Sequence, residues 1–133
     1  MIRILTSLFS AALLVAAPKP VTPTAVVQRQ IELFNAHDLK GFLALYAEEL
    51  EVAELPAAPW GTRNKAWLQE LWGEQFKTNP DLRTSVEAQL VSGEFVVQTQ
   101  RLKGRVGQTK DPDVVVIYQV KAAKILRMWV MRE

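Results

Sequence analysis

The first half of the chain carries apolar residues at helical spacing. Val27, Ile31 and Phe34 recur at i, i+4 and i+7, which places them on one face of a helix. Thr22 is a suitable capping residue before this run, and Pro23 suits the first helical turn. The pattern therefore predicts an amphipathic helix that begins at Thr22-Pro23 and ends shortly after Phe34.

Two more helices and a strand are predicted before Pro80. Asp38 can cap a second helix, whose apolar stripe consists of Leu39, Phe42, Leu43 and Tyr46. Residues 50–55 alternate enough for a strand, after which Pro56 and Pro59 force a bend. Thr62 can cap a third helix, which has Leu68, Leu71, Trp72 and Phe76 along one face and stops at Asn79-Pro80.

After Pro80 the periodicity changes from helical to alternating. Leu82, Thr84, Val86, Ala88 and Leu90 alternate with polar residues, which predicts a half-buried strand. Ser92-Gly93-Glu94 is a turn, and three more strands are predicted over residues 95–103, 114–121 and 124–132. Because helices and antiparallel strands are segregated along the chain, the predicted fold class is α+β.

The N-terminus is typical of an export signal. Arg3 precedes an apolar run over residues 4–17 that ends in Val15-Ala16-Ala17, the charged, apolar, small-residue order of a secretory signal. We therefore expect a signal peptide over residues 1–17, a proline-rich spacer over 18–23 and a folded domain over 24–133. The alternatives are an uncleaved membrane anchor or a buried first helix. The predicted location is periplasmic or secreted, without stable membrane insertion once the signal is removed.

Composition restricts the classes of function. The 133 residues are 49% hydrophobic and 23% charged, which indicates one globular domain with a real core. The net charge is +2 with both signs interspersed, so no basic stripe for nucleic acid is present and no nucleic-acid partner is expected. The chain has no cysteine and only His37 as an imidazole, so we expect no metal and no cofactor.

The order of elements and three short segments resemble the nuclear transport factor 2-like superfamily, in particular SnoaL-like proteins and ketosteroid isomerases. The segments are Asn35-Ala36-His37-Asp38-Leu39, Tyr46-Ala47-Glu48-Glu49 and the final hairpin from Val116 to Trp129. The resemblance implies a cone-like curved antiparallel sheet wrapped around three N-terminal helices, with a small apolar pocket inside. It does not imply one activity, because this superfamily hosts isomerases, cyclases, dehydratases and non-catalytic binders. The final hairpin usually has a glycine in its turn, whereas this chain has Ala122-Ala123.

The resemblance also suggests candidate site residues. It places Glu54 at the position of the isomerase base, Gln30 where a tyrosine would donate to the oxyanion, and Val116 where a neutral acid would donate. Neither oxyanion donor is recovered, which argues against the ketosteroid isomerase mechanism, since that mechanism stabilises an enolate oxygen with both donors. Glu54 stays the candidate for acid–base chemistry, with a solvated glutamate at a strand end as the alternative. The candidate pocket residues are Gln30, Tyr46, Trp60, Val116 and Tyr118.

Apolar residues on both faces of the last strands indicate a partner. Val114, Val116, Tyr118 and Val120 form one face, yet Val115, Ile117, Trp129 and Met131 make the other face apolar too. Three helices can cover only one side of a sheet, so a homodimer is predicted, as the resemblance also implies. The leading functional hypothesis is binding of a small apolar molecule. The alternatives are a lyase or isomerase that uses Glu54 and a protein-interaction module that uses the sheet face.

Overall fold

The structure is a computed structural model that describes residues 21–132, so the predicted signal peptide and part of the predicted spacer lie outside the described residues. Within these residues the chain forms three helices and five strands. Their order is α1 (Pro23–Asn35), α2 (Leu39–Ala44), β1 (Tyr46–Glu54), α3 (Lys65–Thr78), β2 (Arg83–Ser92), β3 (Phe95–Lys103), β4 (Asp113–Lys121) and β5 (Lys124–Arg132). The α+β class is thereby confirmed.

Side-chain caps fix where the helices begin. The side chain of Thr22 accepts a hydrogen bond from the backbone of Ala25 at 3.1 Å, and Asp38 accepts one from Gly41 at 2.9 Å, so both predicted caps are confirmed. The predicted cap of α3 was wrong, because Asn64 caps it instead of Thr62. The backbone of Arg63 pairs in both directions with Val52 at 2.8 Å, so the chain is still extended at Arg63 and the helix starts later.

The five strands form one open, mixed sheet in the order β1-β5-β4-β3-β2. Strands β2 to β5 form the predicted antiparallel meander. The expectation of a wholly antiparallel sheet was wrong, because β1 lies parallel to β5. Only two helices precede the sheet, since α3 follows β1 along the chain. The helix carries the chain away from β1, and the meander then brings β5 back beside it in the same direction.

A bulge in β2 changes which residues face the core. The pairing with β3 shifts between Val86 and Ala88, so that Gln89 pairs with Gln98 and Leu90 with Val97. One extra residue moves every later side chain to the opposite face of the sheet. The prediction that Leu90 shares the buried face with Leu82 and Thr84 was therefore wrong, and Leu90 is 67% exposed.

The helices cover one face of the sheet, which we call the inner face. Its buried residues on β3 and β4 include Val96, Gln98, Val116, Tyr118 and Val120, as the alternation of β4 predicted. Helix α1 contacts β2, β3, β4 and β5, whereas α3 contacts β1 and α2. The opposite, outer face has no covering element among residues 21–132.

Polar contacts tie the end of α1 to β2. The Asn35 amide donates to the carbonyl of Thr84 at 3.0 Å and accepts from the Thr84 N–H at 2.8 Å. His37 contacts the carbonyl of Leu82 through Nε2 at 2.6 Å, and its ring stacks on Phe76 with centroids 4.3 Å apart. These contacts hold the helices at a fixed distance from the edge of the sheet.

The turn between β4 and β5 offers a test of backbone strain. Ala122 and Ala123 have φ values of 51° and 61°, which residues other than Gly, Asn and Asp rarely adopt. We expect the double replacement of Ala122-Ala123 by Asn-Gly to raise the free energy of unfolding by about 1 to 2 kcal/mol. Urea unfolding would measure this change.

Gly93 gives the matched control for this prediction. It has a φ of 57° in the hairpin between β2 and β3, and apart from Gly93 itself and its two chain neighbours no atom lies within 4 Å of the position of an added Cβ. Gly93→Ala should therefore lower the free energy of unfolding by about 1 kcal/mol through backbone strain alone. An Asn-Gly variant no more stable than the native turn would contradict the strain argument.

Candidate functional site

A cavity of about 410 Å³ lies between the inner face of the sheet and the helices. Its apolar lining comes from all three helices and from β1, β3, β4 and β5. The apolar residues are Phe34, Phe42, Val52, Trp67, Leu68, Leu71, Trp72, Leu102, Pro112, Val114, Val116, Met128 and Val130. Small-molecule sites are typically concave, mostly apolar and about 300 to 1,000 Å³ in size. The cavity therefore has the size and lining for a small apolar molecule.

Two buried polar side chains in this cavity have unpartnered atoms. Gln30 on α1 is 3% exposed, and its Oε1 has no hydrogen-bond partner in the described part of the chain. Thr84 on β2 is 7% exposed, and its Oγ1 is likewise unpartnered within residues 21–132. A buried polar atom without a partner costs about 1 to 3 kcal/mol. A ligand hydroxyl or amide that reached these atoms would offset that cost.

A chain of side-chain hydrogen bonds ends at Tyr118 in the cavity. Gln98 donates to Gln89 at 2.7 Å, and Gln100 donates to Gln98 at 2.9 Å. The same Gln100 amide donates to the Tyr118 hydroxyl at 2.8 Å. Because the hydroxyl oxygen accepts this bond, its own proton is available as a donor to a bound molecule.

The only two tyrosines of the chain both line the cavity. Burial raises the pKa of Tyr46 well above its ordinary value, and the nearby Tyr118 raises it further. Burial also raises the pKa of Tyr118, partly opposed by the hydrogen bond from Gln100. Both phenols are therefore neutral hydrogen-bond donors at physiological pH and poor bases.

Charged residues line the cavity near the end of β5 and the loop between β3 and β4. Arg105, Asp113 and Arg132 belong to this set. The carboxylate of Asp113 accepts from the guanidinium of Arg101 at 2.9 and 3.3 Å, a bond that lowers the pKa of Asp113. This end of the cavity can therefore orient a polar or charged part of a ligand.

The structure brings together four of the six predicted site residues. Gln30, Tyr46, Val116 and Tyr118 all line the cavity. Trp60 does not line it: the guanidinium of Arg63 lies 4.4 Å from the centre of its ring and 5.8 Å from that of Trp67, which does line it. Trp60 thus supports the wall of the cavity from outside.

Glu54 also lies outside the cavity lining. Its side chain is 34% exposed, and Oε1 lies 3.4 Å from Nε of Arg132. Because Arg132 lines the cavity, the side chain of Arg132 lies between Glu54 and the cavity. Glu54 therefore contacts a residue of the cavity lining without lining the cavity itself.

Among residues 21–132, no group of three or more His, Cys, Asp or Glu side chains is placed to hold a metal ion. Within the same residues no helix is both long and apolar enough to cross a bilayer. The single histidine, His37, packs on Phe76 and contacts a backbone carbonyl, so its ring has a structural role in the turn between α1 and α2.

Sequence reasoning missed five polar residues of the cavity: Thr84, Gln100, Arg105, Asp113 and Arg132. Thr84 and Gln100 occupy positions on the buried face of alternating strands, and a polar residue at such a position is a detectable signal. Arg105 lies in a loop and Arg132 at a strand end. At such positions the alternation of apolar and polar residues does not indicate which way a side chain points.

The two tyrosines predict how stability depends on pH. Their pKa values are raised in the folded state, so above about pH 10 only the unfolded chain loses these protons readily. The free energy of unfolding should therefore fall above that pH by about 1.4 kcal/mol per pH unit for each tyrosine. Urea unfolding at several alkaline pH values would measure the slope.

Tyr118→Phe is the matched variant for this prediction, and it should remove one tyrosine's share of the slope. Since the chain has no other tyrosines, phenolate absorbance reports these two alone. That absorbance should appear only together with unfolding. Phenolate absorbance in the folded protein near pH 10, the ordinary tyrosine pKa, would contradict the expected shift.

The fold of residues 21–132 is similar to that of several solved structures. An NTF2-like protein of unknown function from Cytophaga hutchinsonii matches with a TM-score of 0.70 and 14% identity, over 88% of this chain and 95% of that one. IdmH, a proposed polyketide cyclase from Streptomyces antibioticus, matches with a TM-score of 0.70 and 16% identity, over 81% and 89%. A proposed ketosteroid isomerase from Kribbella flavida matches with a TM-score of 0.69 and 16% identity, over 84% and 77%. At these identities the likeness shows the fold alone.

The sequence matches no curated protein. It does match the family model of the SnoaL-like domain over residues 27–128, which spans most of α1, all of α2, α3 and β1 to β4, and the first half of β5. The structural likeness to NTF2-like proteins agrees with this match, and the resemblance identified from the sequence is confirmed. This chain therefore belongs to the SnoaL-like domain family, with the NTF2-like fold.

Proposed function

We propose that this protein binds a small, mostly apolar molecule in the cavity between α1, α3 and the sheet. The observation that carries the proposal is the combination of an apolar lining with polar atoms on Gln30 and Thr84 that find no hydrogen-bond partner in the described part of the chain. If these positions served only the packing of the core, apolar side chains of similar shape would stabilise the protein more, because they would avoid the free-energy cost of burying an unpaired polar atom.

The polar groups define what the ligand should present. The hydroxyls of Tyr46 and Tyr118 are neutral donors, which suit a carbonyl or ether oxygen. Oε1 of Gln30 is an acceptor, which suits a hydroxyl or amide on the ligand. The proposed ligand is therefore an apolar skeleton with one or two oxygen functions.

An enzymatic role that uses Glu54 is the second candidate. Glu54 does not line the cavity, but its carboxylate contacts Arg132, which does, so proton transfer to or from a bound substrate would pass through a bridging water. If turnover of a substrate is found, Glu54→Gln should reduce its rate. An unchanged rate would exclude Glu54 as the base and reject the enzymatic proposal in this form.

The proposal includes the location and the assembly predicted above. Export to the periplasm or the medium is supported by Arg3, the apolar run over 4–17 and the small residues that end it. A homodimer through the outer face is supported by a row of paired apolar residues that crosses four strands. The row is Leu90, Val97, Ile117 and Trp129, in which each residue pairs with the next.

Binding is tested with N-phenyl-1-naphthylamine, a neutral apolar probe that fluoresces more strongly out of water. We expect saturable binding of one molecule per chain. Val116→Phe should weaken it at least about tenfold, since the added ring would occupy the space that the probe needs. Fluorescence titration gives the Kd, and the thermal unfolding transition shows that the variant is folded.

Val91→Phe is the matched control for this titration. Val91 is 44% exposed near the end of β2 and does not line the cavity, so the same added ring should leave the Kd unchanged. Equal affinity of native protein and folded Val116→Phe would sink the proposal that this cavity is the binding site.

Assembly is tested with charged residues in the apolar row. Ile117→Lys and Trp129→Lys should convert the dimer to monomer, because an interface cannot bury an unpaired ammonium without a large cost. Val106→Lys is the control, since Val106 lies 77% exposed in the loop between β3 and β4. Sedimentation equilibrium gives the mass, and a mass unaffected by both substitutions in the row would reject this interface.

A further inference from the structure

Two arginines reach one end of the same cavity from different elements. Arg105 belongs to the loop between β3 and β4, and Arg132 is the last residue of β5. Both line the cavity, as do Leu102, Val114 and Val130, and Arg132 pairs with Val114 at the start of β4, directly after the loop that carries Arg105. The apolar cavity therefore has one end at which two cationic side chains converge.

Within residues 21–132, the carboxylates around these arginines leave Arg105 without an ion-pair partner. Arg132 has Glu54 at 3.4 Å, and the one carboxylate that lines the cavity, Asp113, is engaged by Arg101 at 2.9 Å. Arg105 has no carboxylate within salt-bridge distance among residues 21–132. Its Nε is buried and lacks a hydrogen-bond partner within the same residues.

The two guanidinium groups also disfavour each other. Burial lowers the pKa of Arg105, and the charge of Arg132 lowers it further. Arginine stays charged in proteins, so the repulsion between the two guanidinium groups persists in the unliganded protein. An anion placed between the two side chains would relieve the repulsion and supply the partner that Nε lacks.

We propose that Arg105 and Arg132 form a subsite for the carboxylate of an apolar organic acid whose body fills the cavity. Guanidinium groups present fixed pairs of N–H donors, which match the two oxygens of a carboxylate. This inference rests on the proposed function, since it assigns a chemical class to the molecule bound in that cavity. It also gives Glu54 a role, which is to compete with the ligand carboxylate for Arg132.

The test compares two probes of nearly equal shape. Naphthalene-2-carboxylate carries the charge, whereas naphthalene-2-carboxamide is neutral. Each is titrated as a competitor of N-phenyl-1-naphthylamine on the native chain at neutral pH. We expect the carboxylate to bind about tenfold more tightly than the carboxamide, as charge-assisted hydrogen bonds are about twice as strong as neutral ones. The ratio should fall as salt is added, because salt screens charges near the surface.

Three substitutions assign the preference to named residues. Arg105→Met and Arg132→Met keep most of the length of the side chain without its charge, and each should reduce the ratio of the two affinities severalfold. Glu54→Gln frees Arg132 and should raise the ratio. Arg29→Met is the control, since Arg29 is exposed on α1 and pairs with Glu32 at 3.1 Å, and it should leave the ratio unchanged.

Failure of this inference is distinguishable from failure of the proposed function. If N-phenyl-1-naphthylamine binds but the two competitors have equal affinity, the cavity binds apolar molecules and the carboxylate subsite is wrong. A ratio that persists in both folded Arg→Met variants would also overturn the subsite. If the neutral probe does not bind the native chain at all, the proposed function itself fails.

Discussion

The double hydrogen bond between the Asn35 side chain and the backbone of Thr84 is the contact on which the site depends. It joins the end of α1 to β2 through one donor and one acceptor, at 3.0 and 2.8 Å. Helix α1 is thereby held across the inner face at a distance that its own side chains do not fill. Since protein interiors are ordinarily close-packed, a hollow of about 410 Å³ needs such fixed walls.

The cavity divides into regions of different chemistry. Its centre is apolar, with neutral donors on Tyr46 and Tyr118 and an unpartnered acceptor on Gln30. One end is cationic, because Arg105 and Arg132 converge there while Asp113 is neutralised by Arg101. An amphipathic molecule would be oriented by this arrangement, with its apolar body inside and its polar end beside the arginines. Orientation of this kind is required for binding with specificity and for any reaction alike.

The bulge in β2 decides which side chains of that strand lie on the inner face of the sheet and which lie on the outer face. Without the extra residue, Leu90 would continue the buried face of Leu82 and Thr84. With it, Leu90 aligns with Val97, Ile117 and Trp129 on the outer face, and Gln89 lies on the inner side, where it accepts from Gln98. One local irregularity thus supplies both the end of the polar chain that leads to Tyr118 and the edge of the apolar row.

The sequence by itself determined most of the elements, because caps and periodicity are local properties, but Tyr46, predicted in the stripe of α2, begins β1 instead. Thr22 and Asp38 start helices, Asn79-Pro80 ends one, and β4 alternates as the pattern predicts. The NTF2-like fold and four cavity residues, Gln30, Tyr46, Val116 and Tyr118, were also identified from the sequence through resemblance. Features that depend on contacts between segments distant in the sequence were decided only by the tertiary structure. They are the parallel pairing of β1 with β5, the bulge in β2, and the start of α3, which is delayed because Arg63 pairs with Val52. The cationic end of the cavity belongs to this second group, since Arg105 and Arg132 are brought together only when the β3–β4 loop and the end of β5 pack at the same edge.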